Sequence, residues 1–291
     1  MSYPFLPKLR PAGCGDPGAA IPFGCMFAGG QYLYRTAVAP ASGTRLWLYA
    51  EVKRHKLGAL EHIFAAASGN NVFTIGFDTS DRFGINMGVA GSSTTGYAYT
   101  DRVFRDPAAT YSVLVDIDTS RATASERLRL WINGERQVWS AGASFLGQGT
   151  ILWAHPAGYQ QRLGGGTSSY YGPTYSNLTL SRFACGDGVA DIDVGAFGYT
   201  NRFGVWVPKA MPAPASLPLG NNGCVLDFAQ PLDLGHDVSG KANHWTTSGL
   251  TAASQVPDTP THGYATYNAV AWSGPAAGTL AAGALTWVDA T

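Results

Sequence analysis

Hydrolysis of a glycosidic bond by a carboxylate pair needs two acids about 5 Å apart in the retaining geometry. On a strand, residues i and i+2 share a face, so Glu-x-Asp-x-x-Glu is the pattern that would signal it. The glutamates, Glu51, Glu61, Glu126 and Glu135, sit in no such pattern. Asp116-x-Asp118 and Asp191-x-Asp193 would each place two carboxylates on one face if extended. A solvated sheet face explains the first pair without catalysis, and a turn explains the second. No Gly-x-Ser-x-Gly elbow occurs, and His55, His62, His155, His236, His244 and His262 are scattered. Gly164-Gly165-Gly166-Thr167 lacks the lysine of a phosphate loop and reads as a flexible bend. Cys14, Cys25, Cys185 and Cys224 show no Cys-x-x-Cys or Cys/His spacing suited to zinc. Their even number permits disulfides, but free buried thiols are the preferred reading. The expectation is a chain that is not an enzyme and requires no cofactor.

Aromatic side chains are the remaining candidates. Flat rings stack on sugar rings and also anchor protein interfaces. In Leu46-Trp47-Leu48-Tyr49-Ala50-Glu51-Val52-Lys53 the period is two. Leu46, Leu48, Ala50 and Val52 would face a core, and Trp47, Tyr49, Glu51 and Lys53 would face away. Trp131 points outward beside Arg129 in Leu128–Ile132, while Tyr170 and Tyr171 flank a glycine-rich bend. Trp47, Tyr49, Trp131, Tyr170 and Tyr171 are therefore the candidate carbohydrate- or interface-binding residues. Two alternatives stand for the outward pair on the first strand: burial under the 184–262 extension or a neighbouring subunit, which is the preferred reading, or a sugar site.

The elements that must position these residues are strands. Tyr111, Val113, Val115 and Ile117 alternate with Asp116 and Asp118 on the opposite face. Leu128–Ile132 runs into Asn133-Gly134, a strong two-residue hairpin signal because both residues tolerate positive φ. Gln137–Ser140 is predicted to return. Further strands are predicted at 61–66, 72–77, 83–89, 149–154, 160–164 and 174–183, with Ser120–Arg127 as one helical turn or a loop. Four spans follow: an extended arm at 1–28, a sandwich at 29–185, a Gly/Pro-rich extension packed on it at 186–262, and a linker or first strand of a further domain at 263–291. Many short strands at regular spacing indicate a sandwich or jelly roll.

Composition agrees. The 291 residues carry 19 Lys+Arg against 19 Asp+Glu, and 13% are charged, about half the usual share. With no basic excess, binding nucleic acid through phosphates is excluded. Plentiful aromatics exclude a disordered chain, and four Glu with five Lys exclude a helical bundle. No signal-peptide pattern opens the chain, and no stretch reaches the roughly 18 apolar residues of a membrane span. The expectation is a protein made in a cytoplasm, with no membrane insertion.

Residues 27–245 resemble the laminin-G-like, concanavalin-A-like jelly-roll proteins encoded among bacteriophage tail and virion genes. Five ordered islands carry the resemblance. They are Val52-Lys53-Arg54 with Ile63-Phe64-Ala65 and Ser68-Gly69-Asn70-Asn71; Ile75-Gly76-Phe77-Asp78 with Asp81-Arg82; and Val103-Phe104-Arg105-Asp106-Pro107 leading to Trp131-Ile132-Asn133-Gly134. Then come Tyr170-Tyr171-Gly172 through Phe183, and Gly204-Val205-Trp206-Val207-Pro208-Lys209 through Asp237 to Trp245. The family's Ser-Gly-Asn-Gly-Asn-Asp-Trp turn is interrupted here by Lys241-Ala242 and His244.

The resemblance implies an all-β concanavalin-A-like jelly-roll sandwich with an extended N-terminal arm and an irregular C-terminal extension. It further implies a virion structural protein: a tail fibre or tail-tip component attaching to host-surface glycan. A capsid decoration or head-fibre protein and a polysaccharide-degrading tail enzyme are the alternatives. A homotrimer is the implied state, with other virion proteins held by the arm. Calcium is a further implication, because such sandwiches bind it through rim oxygens. Asp78, Asp81, Asp116 and Asp118 are the candidate ligands, with Ser80 beside the first two. An Asx turn is the alternative for each aspartate.

Overall fold

The computed structural model describes residues 20–89, 94–168 and 172–261 and the strands Thr279–Ala281 and Thr286–Val288. Tyr170, Tyr171, Cys14 and residues 1–19 of the predicted arm lie outside the described residues. The fold is an all-β jelly-roll sandwich. Among the described residues, helical structure is limited to 3-10 turns, and no helix is long and apolar enough to cross a membrane.

In chain order the strands are β1 Gly24–Ala28, β2 Tyr32–Thr36, β3 Arg45–Arg54, β4 Glu61–Ser68, β5 Asn71–Phe77, β6 Arg82–Val89, β7 Thr94–Val103, β8 Thr110–Asp118, β9 Leu128–Ile132, β10 Glu135–Arg136, β11 Gln160–Leu163, β12 Gly165–Ser168, β13 Gly172–Tyr175, β14 Asn177–Asp187, β15 Gly198–Thr200, β16 Trp206–Pro208, β17 Cys224–Leu226, β18 Thr246–Ser248 and β19 Gln255–Val256, followed by the pair β20 Thr279–Ala281 and β21 Thr286–Val288. The first sheet runs β10-β9-β8-β3-β14-β1-β19, with β17 also on β14; the second runs β18-β2-β11-β4-β5-β6-β7. All pairings in both are antiparallel.

The core between the sheets is aromatic. Phe27, Phe64, Phe73, Phe77, Phe83 and Phe183 are buried there with Leu46, Leu48, Ala50 and Val52 of β3. The opposite face of β3 is buried too. Trp47 and Tyr49 join Leu114, Ala184, Phe197, Leu219 and Val225 in a second apolar cluster. The first half of β3 is thus covered by apolar residues on both faces, while Glu51 and Lys53 continue its outer face as polar residues. In that first half the alternation decides which of two cores each side chain enters.

Several expected boundaries move. The predicted arm at 1–28 already contains β1, which pairs with both β14 and β19. The stretch 149–154 is not a strand, although Leu152 and Ala154 are buried. Its backbone instead bonds Gly43 and Thr119. Asn133 and Gly134 turn with φ of 51° and 75°, as the hairpin signal requires, but the returning strand is only Glu135–Arg136. Trp139, inside the predicted return, makes one isolated bridge to Thr100. The region 186–262 is woven into the sandwich. β17 extends β14, β18 extends β2 and β19 extends β1. β20 and β21, in the predicted linker region, pair with each other.

Two histidines make the fold acid-sensitive. His55 Nε2 lies 2.8 Å from Thr179 Oγ1, and His62 Nδ1 lies 3.0 Å from Thr174 Oγ1. Burial pushes each imidazole down from 6.5 to about 4, helped at His55 by the Lys53 ammonium. Below pH 6.5 the unfolded chain takes up protons that the native rings refuse, so stability is lost as pH falls toward 4. Each ring accounts for up to about 3 kcal/mol. In urea denaturation at stepped pH, a His55→Gln, His62→Gln double variant is expected to show a flatter acid limb than the wild type.

Candidate ligand-binding cleft

The predicted aromatic candidates separate. Trp47 and Tyr49 have no exposed surface. The Phe197 ring stacks on Tyr49 at 4.0 Å between centroids and 11° between planes, and Trp47 Nε1 donates to Pro218 O at 2.9 Å. Their candidacy for a glycan or intermolecular surface is therefore corrected: the chain's own outer layer covers them. Trp131 is half-buried and packs on that layer, flanked by the guanidinium groups of Arg129 and Arg136 at 5.7 and 5.5 Å.

The acids separate as well. Asp78 Oδ1 accepts the Ser80 and Arg82 N–H groups at 2.9 Å each, and its Oδ2 accepts two guanidinium bonds from Arg82. Asp81, at φ 64°, accepts from Gly58 N, Arg54 and Arg105. Burial raises its carboxyl, but these donors outweigh that and hold it below the ordinary carboxylate value. Asp116 is fully buried, not on a solvated face. Its Oδ2 takes Arg129 and the Ile192 N–H at 2.9 Å each; burial nonetheless raises its carboxyl. Asp118 forms an Asx turn with Ser120 N at 3.0 Å and faces Arg45 at 3.5 Å. Every candidate carboxylate thus has an arginine beside it, whose charge repels a cation. They do not fit a calcium ion, and among the described residues no group of three or more His, Cys, Asp or Glu could hold a metal.

One cleft, of about 280 Å³, opens on the outer face of the first sheet. Its floor continues the outward stripe of β3. Glu51 and Lys53 stand there, opposite Ser112 and Thr110 of β8 in the strand register. Asn133, from the β9–β10 turn, borders the floor, with its Oδ1 accepting the Ser112 N–H at 2.9 Å. One wall is the β15–β16 hairpin, with Val205 and Trp206; another is Asp258, Thr259 and Pro260.

Charges in the cleft are compensated locally. Lys53 Nζ pairs with Asp258 Oδ2 at 2.6 Å. Glu51 Oε1 accepts from the Tyr49 hydroxyl at 2.7 Å and pairs with Arg182. Trp206 is held by two glycines. A Cβ on Gly134 would lie 2.2 Å, and one on Gly198 2.3 Å, from indole carbons. Such approaches are open only to residues without a side chain. The Trp206 Nε1 donor is buried and finds no acceptor among the described residues. An unmet buried donor is costly, about 1–3 kcal/mol.

The cleft's floor was legible as the i, i+2 stripe ending in Glu51 and Lys53. Trp206 was legible only as part of an apolar island, because its neighbours in the cleft are far away in sequence.

No protein-family model matches the chain, and no curated protein does. Solved structures similar to it include a native heptameric SAP-like pentraxin from Limulus polyphemus, at 16% identity and TM-score 0.41, covering 59% of this chain and 79% of that one. Domains LG4-5 of the mouse laminin alpha1 chain align at 14% identity and TM-score 0.41, covering 62% and 46%. The enzymatically active domain of bacteriophage CBA120 tailspike protein 2 aligns at 13% identity and TM-score 0.36, covering 55% and 24%. None of these likenesses carries an argument about activity.

Proposed function

We propose that the chain is a glycan-attachment module of a bacteriophage virion, a tail-fibre or tail-tip component that binds host-surface sugar in the Trp206 cleft without cleaving it. The observation that carries the binding reading is the cleft's composition: one fixed indole wall beside carboxylate, ammonium, amide and hydroxyl groups. The apolar C–H face of a sugar packs on an aromatic ring, and its hydroxyls need such polar partners. A volume of about 280 Å³ lies just below the range of ligand pockets, about 300–1,000 Å³, and suits a single ring better than a long chain. Glu51 and Asp258 are both held in ion pairs, which favours binding over acid–base chemistry. The virion assignment rests on the ordered resemblance over residues 27–245 and on a composition with only 13% charged residues.

Calorimetry of the full chain against purified host-surface oligosaccharides tests the binding. The wild type is expected to bind at least one of them. Trp206→Ala, checked for an unchanged fold by circular dichroism, is expected to bind at least tenfold more weakly, a loss of about 1.4 kcal/mol or more. Equal affinity of the variant, or no binding by the wild type, rejects the cleft. Absence of the protein from purified particles by mass spectrometry rejects the virion assignment.

A further inference from the structure

Cys185 of β14 and Cys224 of β17 are directly opposed in the antiparallel register. Their sulfur atoms lie 3.7 Å apart, and both residues are free and buried. Directly opposed antiparallel residues have Cα atoms about 4.5–5.5 Å apart, within the roughly 4.4–6.8 Å that a disulfide spans. The backbone therefore needs no large movement for a bond to form.

The surroundings prepare one sulfur as a nucleophile. Trp245 Nε1 donates to Cys224 Sγ at 3.3 Å, and Arg35 Nη2 donates to Cys185 Sγ at 3.8 Å. The Arg35 guanidinium lies over the Trp245 ring at 4.3 Å. Burial alone would raise the Cys224 thiol. The hydrogen bond from Cys185, the Arg35 charge and the Trp245 N–H outweigh it and hold Cys224 below the ordinary thiol value. The bond it donates to Cys224, together with burial, pushes the Cys185 thiol up. Cys25 differs. Its cross-strand neighbours are Leu180 and Gln255, and burial alone raises its thiol.

We infer that Cys185 and Cys224 are a covalent cross-linking site, which a small peroxide closes into a disulfide within the folded chain. The Cys224 thiolate attacks one peroxide oxygen. An S–O bond forms, the O–O bond breaks, and hydroxide leaves to be protonated to water. Cys185 Sγ then attacks Cys224 Sγ. The S–S bond forms, the S–O bond breaks, and the departing hydroxide takes the Cys185 proton as a second water. Two thiols lose two electrons, and the peroxide gains them.

The cross-link would close the loop from 185 to 224, which carries Phe197 and the Trp206 wall. It would also fasten β17 beside the point where Arg35 bonds Asn222 O, Asn243 O and Gln161 Oε1. It does not depend on what the cleft binds.

The test treats the folded full chain with hydrogen peroxide, then alkylates it in denaturant and digests it without reduction. Mass spectrometry is expected to find the Cys185 and Cys224 peptides joined, two hydrogens lighter than their sum, and separated by a thiol reductant. Cys25 is expected to remain alkylated. The melting temperature of the treated wild type should rise by about 5 °C or more, while treated Cys185→Ala should show no rise. Recovery of Cys185 and Cys224 as free alkylated thiols, or as sulfinic or sulfonic acids without the joined peptide, would overturn the assignment. So would an equal rise in the Cys185→Ala variant.

Discussion

Arg54→Ala should lower the free energy of unfolding by about 3–5 kcal/mol, the loss typical when one partner of a buried ion pair is removed. Arg54 has no exposed surface. Its guanidinium pairs with Glu61 at 3.1 Å and Asp81 at 3.0 Å, donates to Phe104 O at 2.7 Å and Lys56 O at 3.1 Å, and lies over the Phe77 ring at 4.4 Å. One side chain thus ties β3, β4, the β5–β6 turn and the segment after β7. Its removal strands the Glu61 carboxylate, while Asp81 keeps Arg105 at 3.0 Å.

The loss should depend on pH, and its sign follows from Glu61. Burial raises this carboxyl from 4.5 to about 7 despite the opposing Arg54 charge. A group raised in the native state gives stability that is fully present below pH 4.5 and is lost as pH rises through about 7. Without Arg54 the carboxyl rises further, so the loss continues to higher pH. Urea denaturation is expected to give a larger deficit for the variant at pH 8 than at pH 5. A pH-independent deficit would mean that Glu61 does not feel the guanidinium.

Phe197→Ala should cost about 3–5 kcal/mol, as truncation of a buried phenylalanine generally does. Phe197 packs on Tyr49 and tilts against Trp47 at 6.3 Å. Its carbonyl accepts the Lys209 N–H at 2.8 Å, just beyond β16. The truncation therefore acts on the layer that carries Trp206. Tryptophan emission should shift to the red as Trp47 meets water, proteolysis within 188–220 should quicken, and any sugar affinity of the cleft should fall. Wild-type emission and cleavage rates would show that the outer layer stands without this ring.

The candidate site was legible in part. The stripe Trp47, Tyr49, Glu51, Lys53 was placed on one face, as the two buried clusters require. Its first half proved to be a second core and its second half the floor of the cleft. Period two reports which side chains share a face. It does not report what lies over that face, because the cover comes from residues more than a hundred positions later. The aspartates illustrate the same limit. Asp78, Asp81, Asp116 and Asp118 present rim-like oxygens in the sequence, but each meets an arginine brought by the fold or by a tight turn. β7 carries no strand signal in the sequence because Thr94–Val103 has few apolar residues to alternate. The buried segment around Leu152 and Ala154 suggested a strand because burial alone mimics its apolar content.

The sequence by itself determined the class of the fold. Alternation in β3, β8 and β9, the Asn133-Gly134 turn and the scarcity of helix formers act over a few residues, where backbone sterics and side-chain period decide. Only the tertiary structure decided which outward face is covered, which acids are neutralised and where a ligand has room. Those outcomes depend on long-range pairings: β14 with β3 and β17, Phe197 on Tyr49, and Trp206 over Gly134. They are set when the chain after β14 folds back across the sheet, a contact that no local window contains.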